Sequence, residues 1–156
     1  MARGSKIFRP DDVPESNATS YPEPFRALNM KRHVKRLAEF GGLRNFGVNL
    51  VRVEPGGQSS CRHAHLTQDE IVLVVEGPLT LETDAGEETV ESGTWITFPA
   101  ATGDAHRLVN KTSSDKTFLV IGDKTPDKAT YPDVDLYGEH GPDGQFRYFR
   151  KDGTPY

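Results

Sequence analysis

The stretch Gly57 to Gly77, GQSSCRHAHLTQDEIVLVVEG, decides how the rest of the chain is read. His63 and His65 stand two residues apart, and Glu70 follows five residues after His65. Along a strand, residues i and i+2 lie on one side, roughly 6.5–7 Å apart. A strand over Ser59–His65 therefore places Cys61, His63 and His65 on one face. On the next strand, Glu70, Val72 and Val74 share a face, and Ile71, Leu73 and Val75 share the other. Both faces are apolar apart from Glu70, so the strand is expected to be buried on both sides. A carboxylate entering such a strand is costly unless a metal, a histidine or an arginine compensates it. Two histidines alone often bond only to backbone or solvent, so a further segment must decide between these uses.

Working outward, 156 residues make one domain the natural expectation. With 19 basic and 23 acidic residues the net charge is −4, which lacks the electropositive footprint of a nucleic-acid binder. The nearest basic cluster, Lys31, Arg32, His33, Lys35 and Arg36, is short, is followed by Glu39, and reads as a solvated strand or helix face. Cys61 is the single cysteine, so no intramolecular disulfide is possible. The opening MARGSKIFRPDD has no apolar core of the signal-peptide kind, and the Ile71–Val75 run is too short to span a bilayer. The expectation is a cytoplasmic protein with no nucleic-acid or membrane partner.

Residues 1–28 read as an N-terminal arm, with Pro10, Pro14, Pro22 and Pro24 scattered among polar residues. Its Ile7-Phe8 and Tyr21/Phe25 are candidate anchors onto the body or a second subunit. Asn29–Phe40 fits either a helix or a basic strand ending at Gly41-Gly42. Strands are expected over Phe46–Glu54, Ser59–His65, Glu70–Glu76, Leu79–Thr83, Glu88–Glu91, Thr94–Phe98, Ala105–Asn110 and Thr117–Gly122, with a hairpin at Asp84-Ala85-Gly86. Beyond Asp123 the chain is turn-rich until a last strand over Gln145–Lys151. Many short strands punctuated by Gly and Pro argue for an all-β sandwich or jelly-roll barrel, spanning 29–124, with 125–156 as a C-terminal extension packing on the barrel or a partner subunit.

The further segment is Gly93–Asn110, GTWITFPAATGDAHRLVN, with Pro99, His106 and Asn110 at suggestive spacing. With it, the sequence resembles the cupin superfamily, whose fold is a double-stranded β-helix, a jelly-roll barrel. The first cupin motif, G(x)5HxH(x)3,4E(x)6G, is matched by Gly57, His63, His65, Glu70 and Gly77. The second, G(x)5PxG(x)2H(x)3N, is matched by Gly93, Pro99, His106 and Asn110. It departs in one respect: six residues separate Pro99 from His106 rather than four, and Ala101 stands where the motif has glycine. The chain is most similar to small single-domain bacterial cupins carrying FGVN before the first motif, a YPD segment after the barrel and a terminal DGTPY. Here these are Phe46–Asn49, Tyr131–Asp133 and Asp152–Tyr156.

The resemblance implies one divalent transition metal held by His63, His65, Glu70 and His106. Three imidazoles and a carboxylate suit Fe, Mn, Ni, Co or Zn alike, for Lewis-acid polarisation or activation of bound water or O₂. His33 and His140 fall outside the motifs and read as surface residues. Asn49, Cys61, Trp95 and Phe98 are candidate substrate contacts, although the two aromatics fit a core role as well. Cys61 reads as a reactive thiol beside the metal or, the favoured alternative, a small buried hydrophobe. Asn110 reads as structural, and Asp104 as a turn residue able to reach the cavity mouth. Two functions follow: a metal-dependent oxygenase, isomerase or lyase acting on a small polar carbohydrate derivative or carboxylic acid, or a binding or sensing module without turnover. A homodimer paired through the Ile71/Leu73/Val75 face and the arm is the expected assembly.

Overall fold

The computed structural model describes residues 6–156. Its main sheet has six antiparallel strands in the order β1-β2-β3-β10-β5-β8. These are β1 (Glu15–Ser16), β2 (Arg32–Arg36), β3 (Phe46–Val53), β5 (Glu70–Glu76), β8 (Trp95–Phe98) and β10 (Lys116–Asp123). Facing it are a three-stranded sheet of β6 (Leu79–Thr83), β7 (Gly86–Val90) and β9 (Arg107–Val109), and a four-stranded sheet of β4 (Ala64–His65), β11 (Lys128–Tyr131), β12 (Leu136–His140) and β13 (Phe146–Phe149). Antiparallel bridges Gln58–Val109 and His63–His106 join these two into one layer. The result is a jelly roll of two facing antiparallel layers. Among the described residues no helix is long and apolar enough to cross a membrane.

The core follows from strand alternation. Inward residues Val51 and Val53 of β3, Val72 and Val74 of β5, and Phe118 of β10 meet Leu79, Leu81, Val90 and Leu108 from the opposite layer. Each such side chain contributes about 1.5–3 kcal/mol by leaving water. The motif glycines fit tightly packed corners. A Cβ at Gly57 would stand 2.8 Å from Lys31 Cβ and 2.9 Å from Val53 Cγ1, and one at Gly77 would stand 2.9 Å from Ser92 N.

Asn110 is fully buried and spends its whole side chain on backbone closure. Nδ2 donates to Val53 O and Ser114 O at 2.8 Å each, while Oδ1 accepts from Thr112 N at 3.0 Å and from Thr112 Oγ1 at 2.7 Å. Asn110→Ala would orphan several of these groups and is expected to cost about 2–4 kcal/mol, read from the shift of a urea-unfolding midpoint.

The strands legible in the sequence form, with four differences. Asn29–Phe40 is both alternatives in turn, a strand followed by the one-turn helix α1 (Leu37–Gly41) that Gly42 ends at φ 82. Ser59–His65 is not one continuous strand: it pairs at isolated points, Ser59 N with Leu108 O and His63 with His106, before the short strand Ala64–His65, because Ser59 Oγ accepts from Leu108 N at 2.9 Å and Ser60 Oγ lies 3.1 Å from His63 Nδ1. Hydroxyls that compete for ladder partners bend the chain there. The β5 strand is buried on one face only, with Val72 and Val74 inside and Val75 44% exposed. Finally, β11 and β12 lie within the turn-rich segment after Asp123, and β11 pairs with β4 through Ala129–His65 and Thr130–Ala64.

That pairing builds a second core. Tyr21 and Phe25 from the N-terminal segment pack with Cys61, Ala129, Tyr131 and Leu136. Asp133 of the YPD segment pairs with Arg62 at 2.7 Å, and the terminal Tyr156 hydroxyl donates to Asp135 O at 2.7 Å.

Candidate metal centre

His63 is bridged antiparallel to His106, His65 sits on β4 opposite Ala129, and Glu70 opens β5 between Phe98 and Gly122. Three separate strand pairings thus bring four side chains to one point. One nitrogen or oxygen from each of His63, His65, Glu70 and His106 lies within 4.8 Å of all the others. Glu70 carboxylate oxygens stand 3.6 Å from His65 Nε2 and 3.7 Å from His106 Nε2.

The hydrogen bonds assign tautomers. His63 Nδ1 donates to Cys61 O at 2.9 Å, and His65 Nδ1 donates to Asp127 Oδ2 at 2.6 Å. In the neutral forms, both Nε2 atoms then carry bare lone pairs. Those two nitrogens face each other 3.0 Å apart. Two lone pairs at that distance repel unless a cation lies between or beside them. His106 makes the same point independently, since it is 5% exposed and neither ring nitrogen has a hydrogen-bond partner. Buried polar groups without partners are rare. The donor set and its orphaned nitrogens fit a divalent metal.

The electrostatics agree. Burial pushes the His63 imidazole down to about 3, and the neighbouring His65 and His106 rings add to the effect. It is therefore a neutral donor. Burial would raise the Glu70 carboxyl, but His106 and His65 outweigh it and hold the group well below its ordinary value. Burial would lower the His65 imidazole, but Glu70 and Asp127 outweigh it and raise the group, so the cluster favours positive charge at its centre.

Two residues that are not motif positions hold the candidate donors in place. Phe98 stacks on His106 with ring centroids 3.6 Å apart and planes 9° apart, fixing that ring's orientation. Asp127, 5% exposed, grips His65 with one oxygen. Its other oxygen accepts from Leu66 N at 3.1 Å, Thr67 N at 2.8 Å and Thr67 Oγ1 at 2.9 Å. Burial raises its carboxyl, but His65 and Thr67 outweigh that and keep it low and ionised. A carboxylate behind a ligating imidazole fixes the ring and raises its basicity. Asp127→Asn is expected to weaken metal affinity by about 10–100-fold, measured by competition with a chromogenic chelator. The only hint of Asp127 in the sequence is an acidic residue in a turn.

The four clustered side chains form part of the wall of a cavity of about 600 Å³ between the layers. Asn49 and Phe98 line it, as does His140 from β12. Cys61 and Trp95 do not. The bend at Ser59–Ser60 turns Cys61 into the second core, where its thiol lies 3.5 Å from Asn29 Nδ2 and burial raises its pKa. Trp95 is 56% exposed on the outer face of β8. Asp104 accepts from Asp84 N at 3.0 Å in the loop beyond Pro99 rather than reaching into the cavity. In that long loop Ala101 adopts φ 62 where the motif has glycine, and its N–H caps His65 O at 3.0 Å.

Comparison with known proteins agrees with this architecture. Residues 49–122 match the family described as Cupin domain. A sugar phosphate isomerase from a cupin superfamily, from Silicibacter pomeroyi, is 41% identical over 97% of this chain and 96% of its own, with a TM-score of 0.91. A putative sugar phosphate isomerase from Acidithiobacillus ferrooxidans is 27% identical over 80% of each chain, with a TM-score of 0.72. A polyketide cyclase from Streptomyces resistomycificus shares the fold at 23% identity and a TM-score of 0.62, over 76% of this chain and 78% of its own. Among curated proteins no sequence matches. The motifs, the jelly roll and the end-to-end likeness to the Silicibacter pomeroyi protein lead to one conclusion: the chain belongs to the cupin superfamily.

Proposed function

We propose that the protein is a metal-dependent isomerase of a small phosphorylated sugar, with His63, His65, Glu70 and His106 as the metal ligands. The observation that carries the reading is the cluster of three imidazoles and a carboxylate in the wall of a cavity large enough for such a molecule. The likeness at 41% identity to a sugar phosphate isomerase supports the choice of reaction among those this fold hosts. A bound divalent metal would supply Lewis-acid polarisation of a substrate carbonyl or hydroxyl.

The chain's own residues do the rest. Asp127 and Phe98 hold the His65 and His106 rings, and Asn49 offers an amide to substrate hydroxyls from the cavity wall. Isomerisation needs a group that moves a proton. His140 is the cavity histidine outside the ligand set. Its Nδ1 accepts from Asp127 N at 2.9 Å, which leaves the neutral ring's proton on Nε2. A neutral imidazole carries one N–H and one lone pair, so it can both give and take a proton. The segment 125–156 thus acts as a working extension of the barrel, supplying Asp127 and His140.

The test is incubation of the metal-loaded protein with a panel of aldose and ketose phosphates, followed by NMR for interconversion. Metal-dependent formation of the isomer supports the reading. Tight retention of a compound without turnover would favour a binding or sensing module instead.

We further propose that the small-molecule site operates in a homodimer. Leu50, Leu119, Leu73 and Trp95 lie side by side across four strands of the main sheet, on the face turned away from the core. Light scattering at micromolar concentration is expected to give twice the 17.3 kDa chain mass, and a monomer would contradict the pairing.

A further inference from the structure

The cavity holds a guanidinium that the metal centre does not use. Strand β2 alternates cleanly: His33 and Lys35 point outward to Glu54 and Asp11, while Arg32, Val34 and Arg36 line the cavity. Arg32 is partly buried, and its Nη1 donates to Ser59 O at 3.1 Å. Its Nε is buried and has no partner. Among the described residues no carboxylate pairs with it, in contrast to Arg52, Arg62, Arg107 and Arg147. Burial pushes the Arg32 pKa down, the signature of a cation held away from water and from an anion.

Two further cations stand near it. Arg36 and Lys124 line the same cavity, whose carboxylates are Glu70 and Asp123. Glu70 belongs to the metal cluster. Asp123 accepts from Asp69 N and Thr125 N, at 2.9 Å each, and Arg36 stands 3.9 Å from Glu39. Among the described residues no carboxylate is in ion-pair contact with Arg32 or Lys124.

We propose that Arg32 binds the phosphate group of the substrate through the part of its guanidinium that lines the cavity, with Arg36 and Lys124 adding charge. This rests on the isomerase reading for the rest of the substrate, but the anion site itself does not depend on turnover. A guanidinium presents parallel N–H donors that match phosphate oxygens, and a dianion suits a cavity with more than one cation. The grip of Nη1 on Ser59 O keeps the fork fixed, one residue before the Ser60 hydroxyl that lies 3.1 Å from His63 Nδ1. Phosphate and metal are thereby recognised by neighbouring points of one wall.

The test uses the full chain, metal-loaded and chelator-treated, titrated with inorganic phosphate in a calorimeter. Phosphate is expected to bind both forms, and Arg32→Gln to weaken it by about tenfold or more, with Arg32→Lys retaining part of the affinity. In the wild-type chain, the Arg32 Nε–Hε resonance is expected to move on phosphate addition, a readout that does not depend on either variant folding. Unchanged phosphate affinity in Arg32→Gln, loss of binding on metal removal, or a stationary Nε–Hε resonance would each overturn the assignment. Turnover of a sugar phosphate with an unresponsive Arg32 would leave the isomerase reading standing and remove this one. An Arg32-dependent phosphate site without turnover would do the reverse.

Discussion

Glu70→Gln should reduce metal from one ion per chain to background, measured by elemental mass spectrometry on protein purified without chelator or nickel affinity. Glu70 is the sole anion among four candidate donors, so it supplies the charge that neutral imidazoles lack. Its amide replacement keeps the volume and the strand while removing the charge and the stronger oxygen donor. The fold has little reason to fail, because β5 is held by Val72 and Val74 in the core. Far-ultraviolet circular dichroism should accordingly match wild type. His106→Ala should behave the same way for metal, and it also leaves Phe98 without the ring it stacks on.

His140→Gln is expected to show the opposite pattern. Metal content should remain stoichiometric, since His140 is not among the clustered donors. The kcat for isomerisation should fall by about 10²–10⁴-fold, the usual contribution of a general acid or base, while KM changes little. The backbone bond from His140 N to Asp127 O at 2.9 Å survives the substitution, so Asp127 should keep its place behind His65. Loss of metal together with rate would instead mark His140 as a support for Asp127.

These two residues show where the sequence was readable and where it was not. His63, His65, Glu70 and His106 sit at fixed spacings within two short segments, so local pattern finds them. Asp127 and His140 arrive through the pairing of β11 with β4 and β12, across 62 residues between His65 and Asp127. No local periodicity announces such a contact. The strands that make it are short and bounded by Pro126, Pro132 and Gly141, so the segment reads as turns.

Cys61 was misplaced for a different reason. Alternation holds only where the ladder is continuous, and the Ser59 and Ser60 hydroxyls break it four and three residues before His63. The favoured reading of a small buried hydrophobe matches its place beside Tyr21, Phe25 and Tyr131. Asn110 was legible because an asparagine closing a strand has few other uses. The Pro99–His106 loop was legible as irregular, and its consequence is local: Ala101 takes up the left-handed turn, and His106 still reaches the cluster.

X-ray absorption at the metal edge of the fully loaded protein tests the central claim most directly. Three imidazoles and at least one oxygen donor at about 2.0–2.2 Å are expected, with the outer-shell scattering that histidine rings produce. A sulfur scatterer at about 2.3 Å, or fewer than three imidazoles, would contradict a centre built from His63, His65, Glu70 and His106.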